Sequence, residues 1–330
     1  MVLLLQQTIY FAIPLLLVAL AGVFAERSGI INLALEGEMI FGAMMGAIFV
    51  KVIQNANSAL TQHPQLLFIL AMLIGLISGA IFSLLLSFSA IKLKADQTIG
   101  GTALNLLAPA IVCTFGLLFF NEEKIKGTLE GIIFLKNNYS SGFMQTLFAS
   151  PLKGVFEVLF DRMYISTYIG IFLFIVLSMW LYKSKIGTHM RACGEHPQAA
   201  DSVGINVKAM RLLGTTISGG LAGLGGYIYV ATCCSGIASS SIAGMGFLAL
   251  AIMIFGNWNP ILIAIGAIMF GFLRCLGPLA DSIDFLAKLN LPMYFYNIVP
   301  YAIVLVVLII TRNKSGCPKA EGIPYDKGMR

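Results

Sequence analysis

Apolar runs of membrane-crossing length alternate with short polar segments along almost the whole 330-residue chain. A helix rises 1.5 Å per residue, so about 20 apolar residues cross the hydrocarbon of a bilayer. On that measure the pattern predicts about nine spans, at 8–25, 29–50, 66–91, 97–121, 163–182, 212–232, 242–255, 260–276 and 292–311. An external loop (122–162), a cytoplasmic loop (183–211) and a cytoplasmic tail (312–330) complete a single transmembrane domain over 1–330. Backbone groups in lipid have no water to bond, so each span must be a helix and the expected fold class is all-α integral membrane. Basic residues tend to stay on the cytoplasmic side. Lys92 and Lys94, then Lys183, Lys185, Arg191, Lys208 and Arg211, then Arg312, Lys314, Lys319, Lys327 and Arg330 mark that side. The amino terminus then falls outside and the carboxyl terminus inside.

The spans are not uniform. Pro14 interrupts the first, and its freed carbonyl needs a partner from a neighbouring helix. The second carries Asn32, Glu36 and Glu38. A charge at a helix centre costs about 2.5–3.5 kcal/mol on insertion scales, so these residues face the protein interior or a wet cavity, or else sit at the cytoplasmic interface beside Arg27. Gly42 and Gly46, Gly75 and Gly79, and the glycines from Gly219 to Gly226 offer smooth faces for close helix approach. In the fourth span Thr102 and Asn105, three apart, share a face that suits either cargo or interhelical hydrogen bonds. Residues 212–273 contain no Asp, Glu, Lys, Arg or His, room for three passes with a short, broken or tilted middle one at 242–255. Trp258, in the turn that follows, is expected to anchor at the membrane surface. Residues 32–46 loosely echo 244–257, which suggests two inverted repeats about an axis in the membrane plane.

The loop at 183–211 is expected to hold a short transverse helix. Pro197 has its ring angle pre-set for a first helical position, and Gln198, Ala199, Ala200 and Asp201 continue it. Gly204 can end it in a left-handed turn, and Asn206 can cap the next helix. Ala199 and Ala200 would give it a small-residue face under the membrane.

Composition agrees with this reading: 58% of residues are hydrophobic, 11% are charged and mean hydropathy is +0.89. Ordinary soluble domains carry about a quarter charged residues. The net charge of +6 gathers at the ends of apolar runs and so reports orientation, not nucleic acid. Cys113, Cys193, Cys233, Cys234, Cys275 and Cys317 form no metal-ligand spacing and are expected to be free thiols. The first span lacks a basic leader and a clear cleavage site, so it is expected to be retained. A phosphate-binding loop and a zinc-protease motif are both absent, His63, His189 and His196 are scattered, and no Ser/His/Asp arrangement can be defended. Neither a catalytic site nor a metal site is expected.

The run from Arg191 to Val207, RACGEHPQAADSVGINV, resembles the coupling loop of permease subunits of ATP-binding-cassette importers. The likeness is to the group that includes branched-chain amino acid, ribose and nucleoside permeases, and is closest to the sugar and nucleoside branch. Three further blocks are similar: GIINLALEG at 29–37, GTALN at 101–105 and GFLALAIMIFGNWNP at 246–260. The resemblance implies an ATPase contact through Arg191, Gly194, Glu195, Pro197, Ala199, Ala200, Gly204 and Ile205, with the short helix that Pro197 opens as the cytoplasmic coupling helix. It implies a second permease subunit (homodimer or heterodimer), two ATPase copies that use ATP and Mg, and a soluble or lipid-anchored binding protein outside. No cofactor is expected on this chain, and its surroundings are membrane lipid in a bacterial inner membrane. Asn32, Glu36, Thr102 and Asn105 are the candidates for the translocation path. Apolar spans with a few Asn, Thr and Ser suit a neutral polar cargo, since an anion would need buried Arg or Lys. The branch points to a nucleoside, with a ribose-like or galactose-like sugar or a flavin behind it. An ion-coupled transporter or channel using Glu36 stays open as an alternative, and a membrane-embedded enzyme is a third reading.

Overall fold

The computed structural model describes residues 2–56, 58–129, 131–133, 162–280, 288, 292–311 and 316–327. Eleven α-helices run through them. These are α1 (Val2–Arg27), α2 (Leu35–Asn55), α3 (Pro64–Ser87), α4 (Gln97–Phe120), α5 (Ile165–Lys183) and α6 (Lys185–Glu195). They continue as α7 (Pro197–Ser202), α8 (Val207–Cys233), α9 (Met245–Phe255), α10 (Pro260–Leu279) and α11 (Met293–Thr311). Each of the nine apolar segments overlaps one helix, and α6 and α7 lie in the loop at 183–211. Five of the described helices are long and apolar enough to cross a membrane: α1, α3 with its extension to Lys92, α4, α5 and α10. The chain is a mostly helical, multi-pass membrane protein.

The helix at the centre is α1, buried from Tyr10 through Glu26 and packed against α8, α10, α9 and α5. Pro14 cannot donate to the carbonyl of Tyr10 four residues back, and the thiol of Cys233 on α8 fills that gap at 3.6 Å. The glycine faces of three helices meet on one seam. A side chain added at Gly42 of α2 would strike the backbone of Gly223 on α8, and one added at Gly223 would strike Gly75 and Gly79 of α3. Such close approach lets backbones gain dispersion contacts that lipid tails cannot supply.

Two expectations change here. The second apolar segment does not become helical at 29 but at Leu35. Gly29 has φ +96°, and the Asn32 side chain accepts from the N–H of Ala34 at 3.0 Å, an Asx turn that competes with the helix. Glu36 and Glu38 are then buried inside the protein, not lodged beside Arg27 at an interface. Trp258 is only 4% exposed and donates to Glu26 at 2.6 Å, so it is locked in the protein and does not float among headgroups.

On the side opposite the α6–α7 loop, a two-residue strand β1 (Ile125–Lys126) pairs antiparallel with β2 (Ile237–Ala238), with Ile125 opposite Ala238. Most of the expected external loop, including Glu130, Lys136, Lys153, Glu157 and Asp161, lies outside the described residues, as do Asp281, Asp284, Arg312, Lys314 and Arg330. Residues 316–327 of the tail fold back onto the α6–α7 loop, which their basic composition did not reveal.

Candidate functional site

The loop between α5 and α8 is a built structure. The Ser184 side chain accepts from the N–H of Gly187 and starts α6. Pro197 opens α7 at its first turn. The end of α7 is a left-handed cap: the N–H of Gly204, at φ +85°, reaches the carbonyl of Asp201 (3.0 Å), and that of Ile205 reaches Ala200 (3.1 Å). These two bonds satisfy carbonyls that a helix end leaves free. Asn206 then caps α8 by accepting from Ala209 at 3.1 Å.

Most of the loop residues named from the sequence turn out to brace it. Arg191 donates to the carbonyl of Tyr182 at 3.1 Å and lies over that ring. Gly194 is buried against the backbone of Arg27, and its carbonyl accepts from Ala320 at 2.9 Å. Glu195 pairs with Arg27 at 3.6 Å. Pro197 is buried, and Ile205 packs beside the cluster formed by Cys193, Ala200, Val207 and Tyr325. Burial pushes the Cys193 thiol up to about 11, so it stays protonated and inert. Ala199 and Ala200 do not share a face: Ala200 is turned inward and Ala199 is exposed. Gln198, Ser202, Val203 and Gly204 are exposed with Ala199, and Val203, at 75% exposure, is the most exposed large hydrophobe of the loop. Val203 carried no signal of its own in the sequence.

The tail clamps this loop. Arg211, buried at the start of α8, donates to the carbonyl of Ile323 at 2.9 Å and reaches that of Ala320 at 3.5 Å. Lys94 pairs with Asp326 at 2.5 Å and Lys327 with Asp201 at 3.7 Å. Gly316 donates to Asn257 in the α9–α10 turn. Burial raises the Glu321 carboxyl above its usual range, against the opposing pull of Cys317, Glu26 and Arg27.

Three of the four residues assigned to the path converge on the broken start of α2. Asn32, fully buried, donates to both carboxylate oxygens of Glu38 (3.2 and 3.0 Å) and to Ser218 of α8 (2.9 Å). The Asn105 amide is used at both ends, accepting from the N–H of Gly37 at 2.8 Å and donating to the carbonyl of Leu33 at 2.6 Å. Glu36 accepts from the N–H of Gly244 at 2.9 Å and of Gly246 at 2.6 Å, at the start of α9. Those N–H groups are the unpaired donors of a helix start, which a carboxylate complements. Thr102 stands apart, exposed on α4, and among the described residues bonds its own helix through Thr98 and Ile99. With eleven residues α9 is about 16 Å long, half the roughly 30 Å hydrocarbon thickness, and its length separates Glu36 from the Gly256–Asn259 turn. Among the described residues no group of three His, Cys, Asp or Glu could hold a metal.

A continuous set of contacts joins loop and break through α8: Val207 in the loop cluster, Arg211 under the tail and against Gly29, and Ser218 on Asn32. That arrangement can transmit displacement.

The family model described as branched-chain amino acid transport system / permease component matches residues 4–308. A guanosine ABC transporter permease protein, NupQ of Bacillus subtilis, is 34% identical over 327 residues, covering 98% of this chain and 96% of its own. A nucleoside ABC transporter permease protein, NupC of Lactococcus lactis, is 33% identical over 317 residues (96% and 94%). A second from the same organism, NupB, is 24% identical over 321 residues (96% and 82%). No solved structure matches.

Proposed function

Because the chain belongs to the permease family of branched-chain amino acid transport systems, we propose that it is the membrane-spanning subunit of an ABC importer whose cargo is a nucleoside. Relatives named for guanosine and nucleosides match it over nearly their whole length, which favours that cargo over a simple sugar. The energy comes from a separate ATPase subunit, and the observation that carries this is the exposed Val203–Ala199 tip held on a braced loop. A single exposed hydrophobe is ordinary by itself, and what favours a partner here is its place on a braced loop whose sequence resembles the family's coupling loop. The remaining partners are a second permease subunit and a binding protein on the outer face. In a bacterial inner membrane the loop and tail face the cytoplasm, and about nine crossings bring the amino terminus outside.

The four path residues divide by role. Thr102 lines the route on α4 with Asn105 at its edge, while Asn32 and Glu36, and the Asn105 amide with them, hold the broken start of α2 behind it. The meeting of the α2 and α9 starts at Glu36 supports two inverted halves, since paired discontinuous helices mark transporter centres. ATPase closure would move α7, and α8 would carry that shift to Asn32.

The test is reconstitution in proteoliposomes with the ATPase and the binding protein. Guanosine uptake that needs ATP in the ATPase compartment is the expected result. Accumulation of guanosine against a gradient by this chain alone would sink the proposal in favour of ion coupling.

A further inference from the structure

Where α3 ends and α8 begins, the two helices leave a cavity of about 660 Å³. Its walls are Leu84, Leu85, Phe88 and Ile91 on one side and Ala209 and Leu212 on the other. Residues Phe88–Lys92 form a π-helical turn that extends α3 at this mouth. Two cations stand there, Lys92 from that turn and Lys208 from the first turn of α8, and no acidic side chain lines the cavity. Neither lysine makes an ion pair among the described residues. The amino end of α8 adds partial positive charge.

The seam continues. Leu76 and Ala80 of α3, Ile217 and Gly220 of α8, and Leu173 and Leu177 of α5 wall a second cavity of about 320 Å³. From Lys92 to Leu76 the helix covers about 24 Å at 1.5 Å per residue, most of the roughly 30 Å hydrocarbon thickness. Leu73, Ile77, Ile81, Leu84, Leu85 and Phe88 leave this side of α3 exposed, an apolar surface of the kind that acyl chains cover in a membrane.

A groove that is basic at one end and apolar along its length fits an amphiphile with an anionic head. We propose that the α3–α8 seam binds an anionic phospholipid, its phosphate between Lys92 and Lys208 and one acyl chain lying along the groove toward Gly220. Free phosphate would satisfy the lysines and leave the groove bare. The site adjoins Asn206, where the α6–α7 loop enters α8, so the lipid would steady the helix that carries the loop's motion.

The full-length chain in phosphatidylcholine vesicles doped with photo-crosslinkable phosphatidylglycerol tests this. Labelling of peptides from 84–92 and 206–212 is expected, with no competition from inorganic phosphate. Lys92→Gln together with Lys208→Gln should weaken capture by about fivefold for each lysine lost. Ala209→Trp, which plugs the mouth and leaves both charges, should also lower it. Equal labelling by a crosslinkable phosphatidylcholine, or displacement by inorganic phosphate alone, would overturn the assignment. So would variants that keep the lipid but lose the ATPase or a second copy of the chain, since the groove would then belong to a protein partner.

Discussion

Glu36 and Gly246, 210 positions apart, are joined by a 2.6 Å hydrogen bond from the backbone N–H of Gly246 to the Glu36 carboxylate. The contact fastens the start of one broken helix to the start of another, with Gly244 supplying a second N–H to the same carboxylate. Glu36→Ala should lower stability by about 2–4 kcal/mol, as two charge-assisted bonds are lost and buried donors go unpaired. Glu36→Gln, which keeps one acceptor, should cost less. Thermal unfolding in detergent measures both, and an alanine variant as stable as the parent would show that the junction is incidental.

The Asn32–Glu38 pair makes a separate prediction. Asn32→Ala leaves the Glu38 carboxylate buried with no side-chain donor, and about 2–3 kcal/mol of destabilisation is expected. Asn32→Ala in a Glu38→Gln background should be milder, with a coupling of about 1 kcal/mol or more in the cycle. Strict additivity would mean that the two side chains do not depend on each other.

At the loop, neighbouring positions should behave in opposite ways. Val203→Asp changes an exposed residue, so the fold should shift by no more than about 0.5 kcal/mol. ATPase binding should fall about fivefold or more, as expected for an interface residue worth over 1 kcal/mol. Ala200→Trp forces a large ring into the Cys193–Val207–Tyr325 cluster and should destabilise by about 1–3 kcal/mol. Co-purification and thermal melts separate the effects, and ATPase binding unchanged in Val203→Asp would remove the tip from the interface.

Arg211 predicts how the tail is held. Arg211→Met strips the donors from the carbonyls of Ile323 and Ala320, so residues 316–327 should become sensitive to limited proteolysis while α8 stays folded. A tail equally resistant in both proteins would assign its docking to Tyr325 and the ion pairs instead.

Docking of that tail should also depend on pH. Because the Glu321 carboxyl is raised by burial, the docked tail binds the proton more tightly than the free tail. The contribution is complete below the ordinary carboxyl range, about 4.3, and is lost as pH rises through the raised value. Amide exchange at 316–327 should therefore show protection that declines over that window in the parent and not in Glu321→Gln. A parallel decline in the variant would trace the effect to Glu26 or another group.

What the sequence determined by itself is local in origin. Nine apolar segments each contain a helix because hydrocarbon length and backbone satisfaction act within one segment. Pro197, Gly204 and Asn206 shape the loop between α5 and α8 because ring geometry, positive φ and capping are settled within a few residues. Glycine faces were legible as faces, but not that Gly42, Gly79 and Gly223 meet one another. Tertiary structure alone decided that Ala200 turns inward, that Val203 turns outward, and that Asn32 finds Ser218 at 186 positions' remove. It also decided that a tail read as merely basic folds back on the loop through backbone carbonyls, which every residue has and no pattern marks. A hydrogen bond between distant segments depends on how helices pack, and packing leaves no period in the chain.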